Sequence, residues 1–379
     1  MKILHSSAVS SFGGLNFVLK ELDDLKINNL IESSLPKLTS QSKYSWKDIF
    51  YSYWSLIFCG GDCAEDVGVN LRSTLKDNPF VSCPSPDRLL NRLKDLSIPS
   101  VIVTKNRSLA ENEISLHPTL NTLNVKMLKR LRLLKPVNRI LDYDNTFIFN
   151  KKADAKRTYK KENGYCPGIG MINDCIVYVE NRNGNSAPHT MQDDTIHRMM
   201  SLLEKQGIKV KVFRADSASF QFATITTARQ YFDTICVRAK INTSTESAIR
   251  NISNWKEIKG TEIQLGSTTF IPFQEAARRA KKEDLLEKYR LVVTRKKRRD
   301  GQINLFTGEA YDYGAIMTND FKMTAKQVVD FYNQRGKQER MGIDVRIVVD
   351  RDKCILSGEC MKVCPEKAIT MENRKFDDF

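Results

Sequence analysis

The sequence predicts a mixed α/β protein in which a sheet-forming core follows a helical N-terminal region. Three observations carry that expectation. Residues 1–135 hold apolar residues at helical spacing, as in Leu15 to Leu30 and Trp46 to Cys59. From Arg139 the period changes to short β-prone runs separated by turn residues and one helical stretch. Two carboxylates, Asp142 and Asp144, sit inside the first of these runs, Arg139 to Phe149. Two residues apart on a strand means one face, and carboxylates are rarely buried unless paired or bound to a metal. That face is a candidate metal site; the alternative is a surface strand with solvated acids.

Composition narrows the class. The 379 residues suffice for two or three domains. No apolar run approaches the roughly 18 residues needed to span a membrane, and the start Met1 to Ser7 lacks the apolar stretch of a signal peptide. A cytoplasmic chain is expected. A net charge of +15 and a pI near 9.3 point to a polyanionic partner, most often nucleic acid. Cys59, Cys63, Cys83, Cys166, Cys175 and Cys236 are scattered among apolar segments and read as reduced thiols. His5, His117, His189 and His197 form no ligand pattern.

In chain order, Trp46 to Cys59 is apolar on most sides and reads as a buried helix, ended by Gly60 and Gly61, with Asp62 offered as the next N-cap. Pro84-Ser85-Pro86-Asp87 opens a helix through Leu96, and Asn124 to Leu134 supplies a basic one. Residues 1–135 are thus expected as an α-helical N-terminal domain; its basic faces either touch DNA or are simply solvated. Gly168 to Val179 divides at Asn173-Asp174, a hairpin turn. Thr190 to Gln206 is helical up to Gly207, and Lys209 to Ala215 is a fourth strand that delivers Asp216 at its end. Three strands, a helix and a further strand, with acids on the first and last, is the order of a ribonuclease H-like fold. The helix Phe220 to Gln230 and the strand Phe232 to Arg238 complete this core over residues 136–240.

Residues 241–320 break the pattern with alternating runs, Thr261 to Ile271, Tyr289 to Thr294 and Asp300 to Thr318, and are expected to form a β-rich insertion. Within them Arg295, Lys296, Lys297, Arg298 and Arg299 precede Gly301. Five consecutive cations beside a glycine turn are expected either as a hairpin tip that meets DNA phosphate or as a solvated loop. Thr324 and Gln327 make a capping box that starts a helix to about Arg340, closing the core over 321–340. Val328, Tyr332, Arg335 and Glu339 fall on one stripe of that helix. A stripe that starts apolar and ends in Arg and Glu points at something polar inside, here the Asp strand; otherwise it is an ordinary amphipathic helix.

Phosphoryl transfer with two metal ions needs hard oxygen ligands from a few carboxylates. Asp144, Asp216 and Glu339, on a first strand, a fourth strand and a late helix, meet that need, and Asp142 is the second candidate for the first position.

These pieces resemble the DDE transposases of bacterial insertion sequences, in the branch with a Tyr-x2-Arg-x3-Glu-x6-Lys signature. The resemblance rests on Asp144-Asn145-Thr146, on Phe213-Arg214-Ala215-Asp216 and on Tyr332 through Arg335 to Glu339. It extends to Gly60 to Glu65, Pro84 to Asp87 and Asp300 to Gly308, so it covers about residues 5–340. It implies metal-dependent DNA cleavage and strand transfer at insertion-sequence ends by a nucleoid-associated bacterial protein. The implied partners are double-stranded DNA, as terminal repeats and target, and a second copy of the chain. Asp144, Asp216 and Glu339 would hold Mg²⁺ or Mn²⁺, and Tyr332 and Arg335 would position DNA phosphate. Trp255 would either stack on an unpaired base or belong to the core. The signature Lys is met by Arg346.

Residues 341–379 read differently. Cys354, Cys360 and Cys364, followed by Pro365, resemble the start of a ferredoxin that binds a 4Fe-4S cluster, with Ser357 at the second cysteine position. A partial ferredoxin-like tail is expected there. Its ligand set is too small for a complete iron-sulfur cluster, because no cysteine follows Cys364. An electron-transfer protein and an inactive DNA-end-binding remnant are the alternatives to a working transposase.

Overall fold

The computed structural model describes residues 12–76, 78–103, 112–136, 139–298, 303, 310–335, 348–349 and 369–370. The chain divides into two compact units, Met1–Ser97 with Ile343–Phe379, and Ile98–Gly342.

In the first unit the helices are α1 (Leu15–Asp24), α2 (Ile27–Ser34), α3 (Trp46–Phe58), α4 (Arg72–Leu75) and α5 (Pro86–Lys94). The expected helix from Leu15 to Leu30 is broken at Lys26, which takes a left-handed φ of 57°. Leu15, Leu19, Ile27 and Ile31 are therefore buried from two helices instead of one. Helix α3 starts on a reciprocal Ser45–Asp48 capping box, and the second Asp48 oxygen accepts the Ser82 N–H at 2.8 Å. After Gly60 the capping carboxylate is Asp66 and not the expected Asp62: it accepts the N–H groups of Asp62 and Cys63 at 2.9 and 3.2 Å.

The second unit begins before residue 135. Strands β1 (Val101–Val103) and β2 (Asn112–Ser115) and helix α6 (Pro118–Arg130) belong to it. Strand β2 was missed because it is too short to show a period; its edge is fixed by pairing with a later strand. The run expected as one strand from Arg139 to Phe149 splits into β3 (Ile140–Asn145) and β4 (Ile148–Phe149). At the split the Thr146 N–H donates to the Pro167 carbonyl at 3.1 Å. Phe147 then packs on Phe149 and Tyr159 instead of entering the core. With β5 (Lys156–Arg157) and β6 (Asn163–Tyr165), β4 forms a separate three-stranded sheet.

The main sheet continues with β7 (Gly168–Ile172) and β8 (Cys175–Arg182), joined through Asn173 and Asp174 at φ 50° and 66°. Helix α7 (Gln192–Lys205) leads to β9 (Val212–Ala215), and α8 (Phe222–Tyr231) to β10 (Thr234–Ala239). After α9 (Thr243–Arg250) come β11 (Lys256–Glu257), β12 (Ile263–Phe270), α10 (Gln274–Ala280), β13 (Tyr289–Lys297), β14 (Tyr311–Thr318) and α11 (Ala325–Asn333). The eleven strands lie in the order β1-β2-β8-β7-β3-β9-β10-β14-β13-β12-β11. Strands β9 and β10 run parallel to β3, and β7 and β8 antiparallel. The central five are in chain order third, second, first, fourth, fifth: the ribonuclease H-like order. The strands expected as an insertion add no layer of their own, since β14 pairs antiparallel with β10 and the others follow. The open edge of β10 needs backbone partners, and the apolar Ala315, Ile316 and Met317 supply a strand that can be buried there.

Each face of the sheet has its own core. On one face Leu141, Tyr143, Phe213, Ala215, Ile235 and Val237 pack with Ile196, Met199 and Leu203 of α7. On the other, Cys236, Val292 and Ile316 pack with Val328 of α11. Alternation along each strand therefore puts Asp142, Asp144, Arg214 and Arg238 on the side of α11. In the other unit, strands β15 (Val348–Val349) and β16 (Ile369–Thr370) pair antiparallel.

Candidate active site

The two acids of β3 share a face but not an environment. The Asp142 side chain is 6% exposed, and both its oxygens are taken by Arg214, its register partner on β9, from Nε at 2.6 Å and from Nη2 at 2.8 Å. Burial pushes the Asp142 carboxyl above its usual range, against the opposing pull of Arg214. The third Arg214 nitrogen, Nη1, donates to the Phe331 carbonyl in α11, and the guanidinium lies 5.0 Å from the centre of the Phe331 ring. One arginine thus ties β3, β9 and α11 together.

Asp144 is more open, its side chain 32% exposed. Its Oδ1 is 3.1 Å from Nη2 of Arg335, which also donates to the Tyr143 carbonyl at 3.4 Å. Asp216 follows the last residue of β9, one register step beyond the pair Tyr143 and Ala215, so it stands beside Asp144 across adjacent parallel strands. Its Oδ1 accepts the Ala218 N–H at 2.9 Å and so fixes the carboxylate at the start of a short turn of 3₁₀-helix. Tyr332 packs at the edge of the α11 core; burial raises its hydroxyl, and Arg335, Arg238 and Asp216 are the charged groups that act on it. Hard carboxylate oxygens from Asp144 and Asp216 fit a divalent cation that keeps several waters, whereas both Asp142 oxygens are buried against the Arg214 cation. Among the described residues no three His, Cys, Asp or Glu side chains converge on a metal position. Glu339 lies outside the described residues.

The first three cations of the basic run are on a strand. Arg295, Lys296 and Lys297 are the last residues of β13, paired with Tyr313, Asp312 and Tyr311, and the Arg298 N–H donates to the Ala310 carbonyl. Arg295 lies between the rings of Trp255 and Tyr311, 4.0 and 4.4 Å from their centres, and donates to Gln264 at 2.8 Å. Lys296 pairs with Glu262 at 3.3 Å and Arg298 with Asp312 at 3.8 Å. The alternating β pleat aims successive cations at opposite faces, which a run read as a loop does not reveal. Trp255 donates its ring N–H to the Ile252 carbonyl and packs edge-on to Tyr313. Arg299 and the tail cysteines Cys354, Cys360 and Cys364 lie outside the described residues.

The sequence reading missed two residues here, Arg214 and Arg238. A signal for Arg214 was present, since a lone charge within an apolar strand needs a partner, but the sequence does not say which acid supplies it.

Residues 135–341, more than half of the chain, match the transposase DDE domain family. The chain belongs to the DDE transposases. The first-strand and fourth-strand acids of this DDE domain both lie in the matched region, as does Glu339. Residues 346–369 match the 4Fe-4S binding domain family. Among solved structures the chain is similar to the piggyBac transposase in a synaptic complex with hairpin DNA, at 12% identity and a TM-score of 0.38. That match covers 86% of this chain and 66% of that one. It is also similar to the Mos1 transposase in a paired-end complex with the left transposon end, at 14% identity and a TM-score of 0.20, covering 59% of this chain and 76% of that one. A Mos1 strand transfer complex gives 13% identity, the same TM-score of 0.20 and the same coverage. No curated protein matches the chain. Among the described residues of this DDE transposase, no helix is long and apolar enough to cross a membrane.

Proposed function

We propose that this chain cuts and joins DNA at the ends of an insertion sequence, with Asp144, Asp216 and Glu339 as its acidic triad and Mg²⁺ or Mn²⁺ as the metal. The observation that supports it is the arrangement of β3 and β9: Asp144 and Asp216 stand side by side at one end of the sheet, while Asp142 is fully engaged by Arg214. This favours Asp144 over Asp142 as the first acid. A divalent ion held there would supply activation of an attacking oxygen and stabilisation of a leaving one. The protein's own residues set the stage for it. Asp216 is oriented by the Ala218 N–H, Asp144 by Arg335, and α11 is held against the sheet by Arg214.

Arg335 and Tyr332 are the family's phosphate-positioning pair in this reading. Arg335 reaches Asp144 directly, so it can neutralise that carboxylate before metal and DNA arrive and then turn to a phosphate. Double-stranded DNA is the partner, read by a basic chain that works as a dimer. The N-terminal helices and the cations Lys296, Lys297, Arg298 and Arg299 would supply the phosphate contacts, with Arg295 held between its two aromatic rings.

The 4Fe-4S match gives a second reading, iron-sulfur electron transfer through Cys354, Cys360 and Cys364. Three cysteines leave one position of a four-iron cluster without a thiolate. The deciding experiment incubates the full chain with supercoiled plasmid carrying its gene and flanking DNA, with Mn²⁺ or Mg²⁺. Nicking that disappears in Asp216→Asn and Asp144→Asn supports the transposase. No nicking, with stoichiometric iron and charge-transfer absorption in the purified protein, supports electron transfer instead.

A further inference from the structure

One cation on the same face as the acids has no role in the reading above. Arg238 lies on β10 opposite Ile316 of β14, in a strand whose Cys236 and Val237 pair with Arg214 and Ala215 of β9. One step further along that register, Arg238 is the neighbour of Asp216. Parallel strands are roughly 4.8 Å apart, so its Cα belongs to the row that already holds Asp144 and Asp216. Its side chain leans away from Asp216 along the sheet: a Cβ at Gly314 would come within 2.7 Å of an Arg238 Nη and 3.2 Å of its Cζ. The same Cβ would meet the Thr294 hydroxyl at 2.8 Å, and that hydroxyl donates to the Gly314 carbonyl. Gly314 is what lets the guanidinium lie flat on β14, since any side chain there would lift it.

Arg238 is half-buried, and among the described residues neither a hydrogen bond nor an ion pair engages its guanidinium. This contrasts with Arg214 on the same face, whose guanidinium is engaged by Asp142 and Phe331. A half-buried arginine whose five donors meet no acceptor among the described residues costs desolvation unless something fills it. Tyr332 of α11 packs against the core on this same side of the sheet, and the charges of Arg335, Arg238 and Asp216 act on its hydroxyl. Two guanidinium groups and a phenol around one end of the sheet make a socket for an anion of phosphate geometry.

We propose that Arg238 is a DNA-phosphate contact of this active site, receiving the non-bridging oxygens of a backbone phosphate on the strand to be cut, with Gly314 providing the flat bed it rests on. The assignment rests on the transposase reading and adds a residue to it. Asp216 and Arg238 then divide the work on adjacent strands: the acid serves the metal side of the phosphodiester and the arginine its non-bridging oxygens.

Binding of the full-length chain to a labelled duplex spanning its gene and flanking DNA, with Ca²⁺ replacing the catalytic metal, tests this across about 50 to 200 mM salt. Arg238→Ala is expected to weaken binding by roughly tenfold and to lower the salt slope by about one, the loss of one phosphate contact. Arg238→Lys keeps the slope but not the Mn²⁺-dependent nicking rate, because a point charge does not replace the fork. Gly314→Ala keeps the charge and displaces it, so it is expected to slow nicking while Arg238→Ala/Gly314→Ala adds nothing to Arg238→Ala alone. It also stands in for Arg238→Ala should that variant fail to fold. An unchanged slope and an unchanged nicking rate in folded Arg238→Ala overturn the proposal. If wild type binds DNA with the expected slope change on Arg238→Ala but never nicks, the transposase reading fails and the phosphate contact stands. If wild type does not bind the duplex, both are overturned.

Discussion

Asp142 and Asp144 are two residues apart on one face of one strand, each pairs with an arginine, and they differ in what is left over. Asp142 and Arg214 have side chains 6% and 1% exposed and close on each other with two short bonds, one to each carboxylate oxygen, out of reach of solvent. Asp144 meets Arg335 at 3.1 Å and keeps about a third of its side-chain surface open. The first pair is a fixed joint between strands and helix. The second is a contact that a metal or phosphate can enter. Residue type does not separate these roles; burial and saturation of the oxygens do.

The largest expected effect is on the closed pair. Arg214→Ala leaves a buried carboxylate without its partner and frees the Phe331 carbonyl, and breaking such a pair from one side costs about 3–5 kcal/mol. Replacing both partners, Asp142→Leu with Arg214→Met, is expected to recover most of that loss. Denaturant unfolding of the single and double variants measures it, and a double variant no more stable than Arg214→Ala would show that the joint is not the pair itself.

The open pair is expected to behave in reverse. Asp144→Asn retains an acceptor for the buried Arg335, so it should cost less stability than Arg214→Ala, while metal-dependent nicking falls by at least about a hundredfold, the scale of removing one group that steadies developing charge. A variant that keeps its nicking rate would return Asp142 to candidacy as the first acid. A variant that unfolds would mean that Asp144 is structural as well.

Much of this contrast was legible in the sequence, and part of it was not. The fold was readable because β-prone runs, Asn173-Asp174, Gly207 and the two acids recur in an order that few architectures share. The same-face placement of Asp142 and Asp144 follows from a period of two. Which acid is spent was not readable, because the answer lies in Arg214, 72 residues away, and only strand register brings the two together. The start of the basic run was unreadable for a related reason: Arg295, Lys296 and Lys297 look like part of a loop until pairing with β14 shows these three on a strand. Arg238 was invisible for want of Gly314, which touches it only across the sheet.

Another buried carboxylate, Glu180 on β8, extends the comparison to pH. Burial alone would raise its carboxyl, yet hydrogen bonds and charge from Arg198, then Arg182, and the Thr195 hydroxyl outweigh that and hold it below the usual range. A folded-state pKa below the unfolded value, about 4.3 for Glu, gives stability that is fully present above pH 4.3 or so and is lost as pH falls through the folded value. Glu180→Gln is expected to remove that part of the acid sensitivity. Urea midpoints between about pH 6 and pH 3 measure it, and equal acid losses in both proteins would place the sensitivity elsewhere.

The smallest effect belongs to the pair Lys326 and Asp330 on the outer side of α11, at 2.6 Å and with side chains 62% and 56% exposed. Its distance equals the shortest bond between Arg214 and Asp142, so distance alone would rank the two together. Solvent screens it and two long side chains lose rotamer freedom to make it, so Lys326→Ala is expected to cost only about 0.3–0.5 kcal/mol. Half-molar salt should erase even that, since it shortens the screening length to about 4 Å. A loss above 1 kcal/mol that persists in salt would mean that exposure is not what separates a joint from an ornament on this helix, and the argument for Asp144 over Asp142 would lose its footing with it.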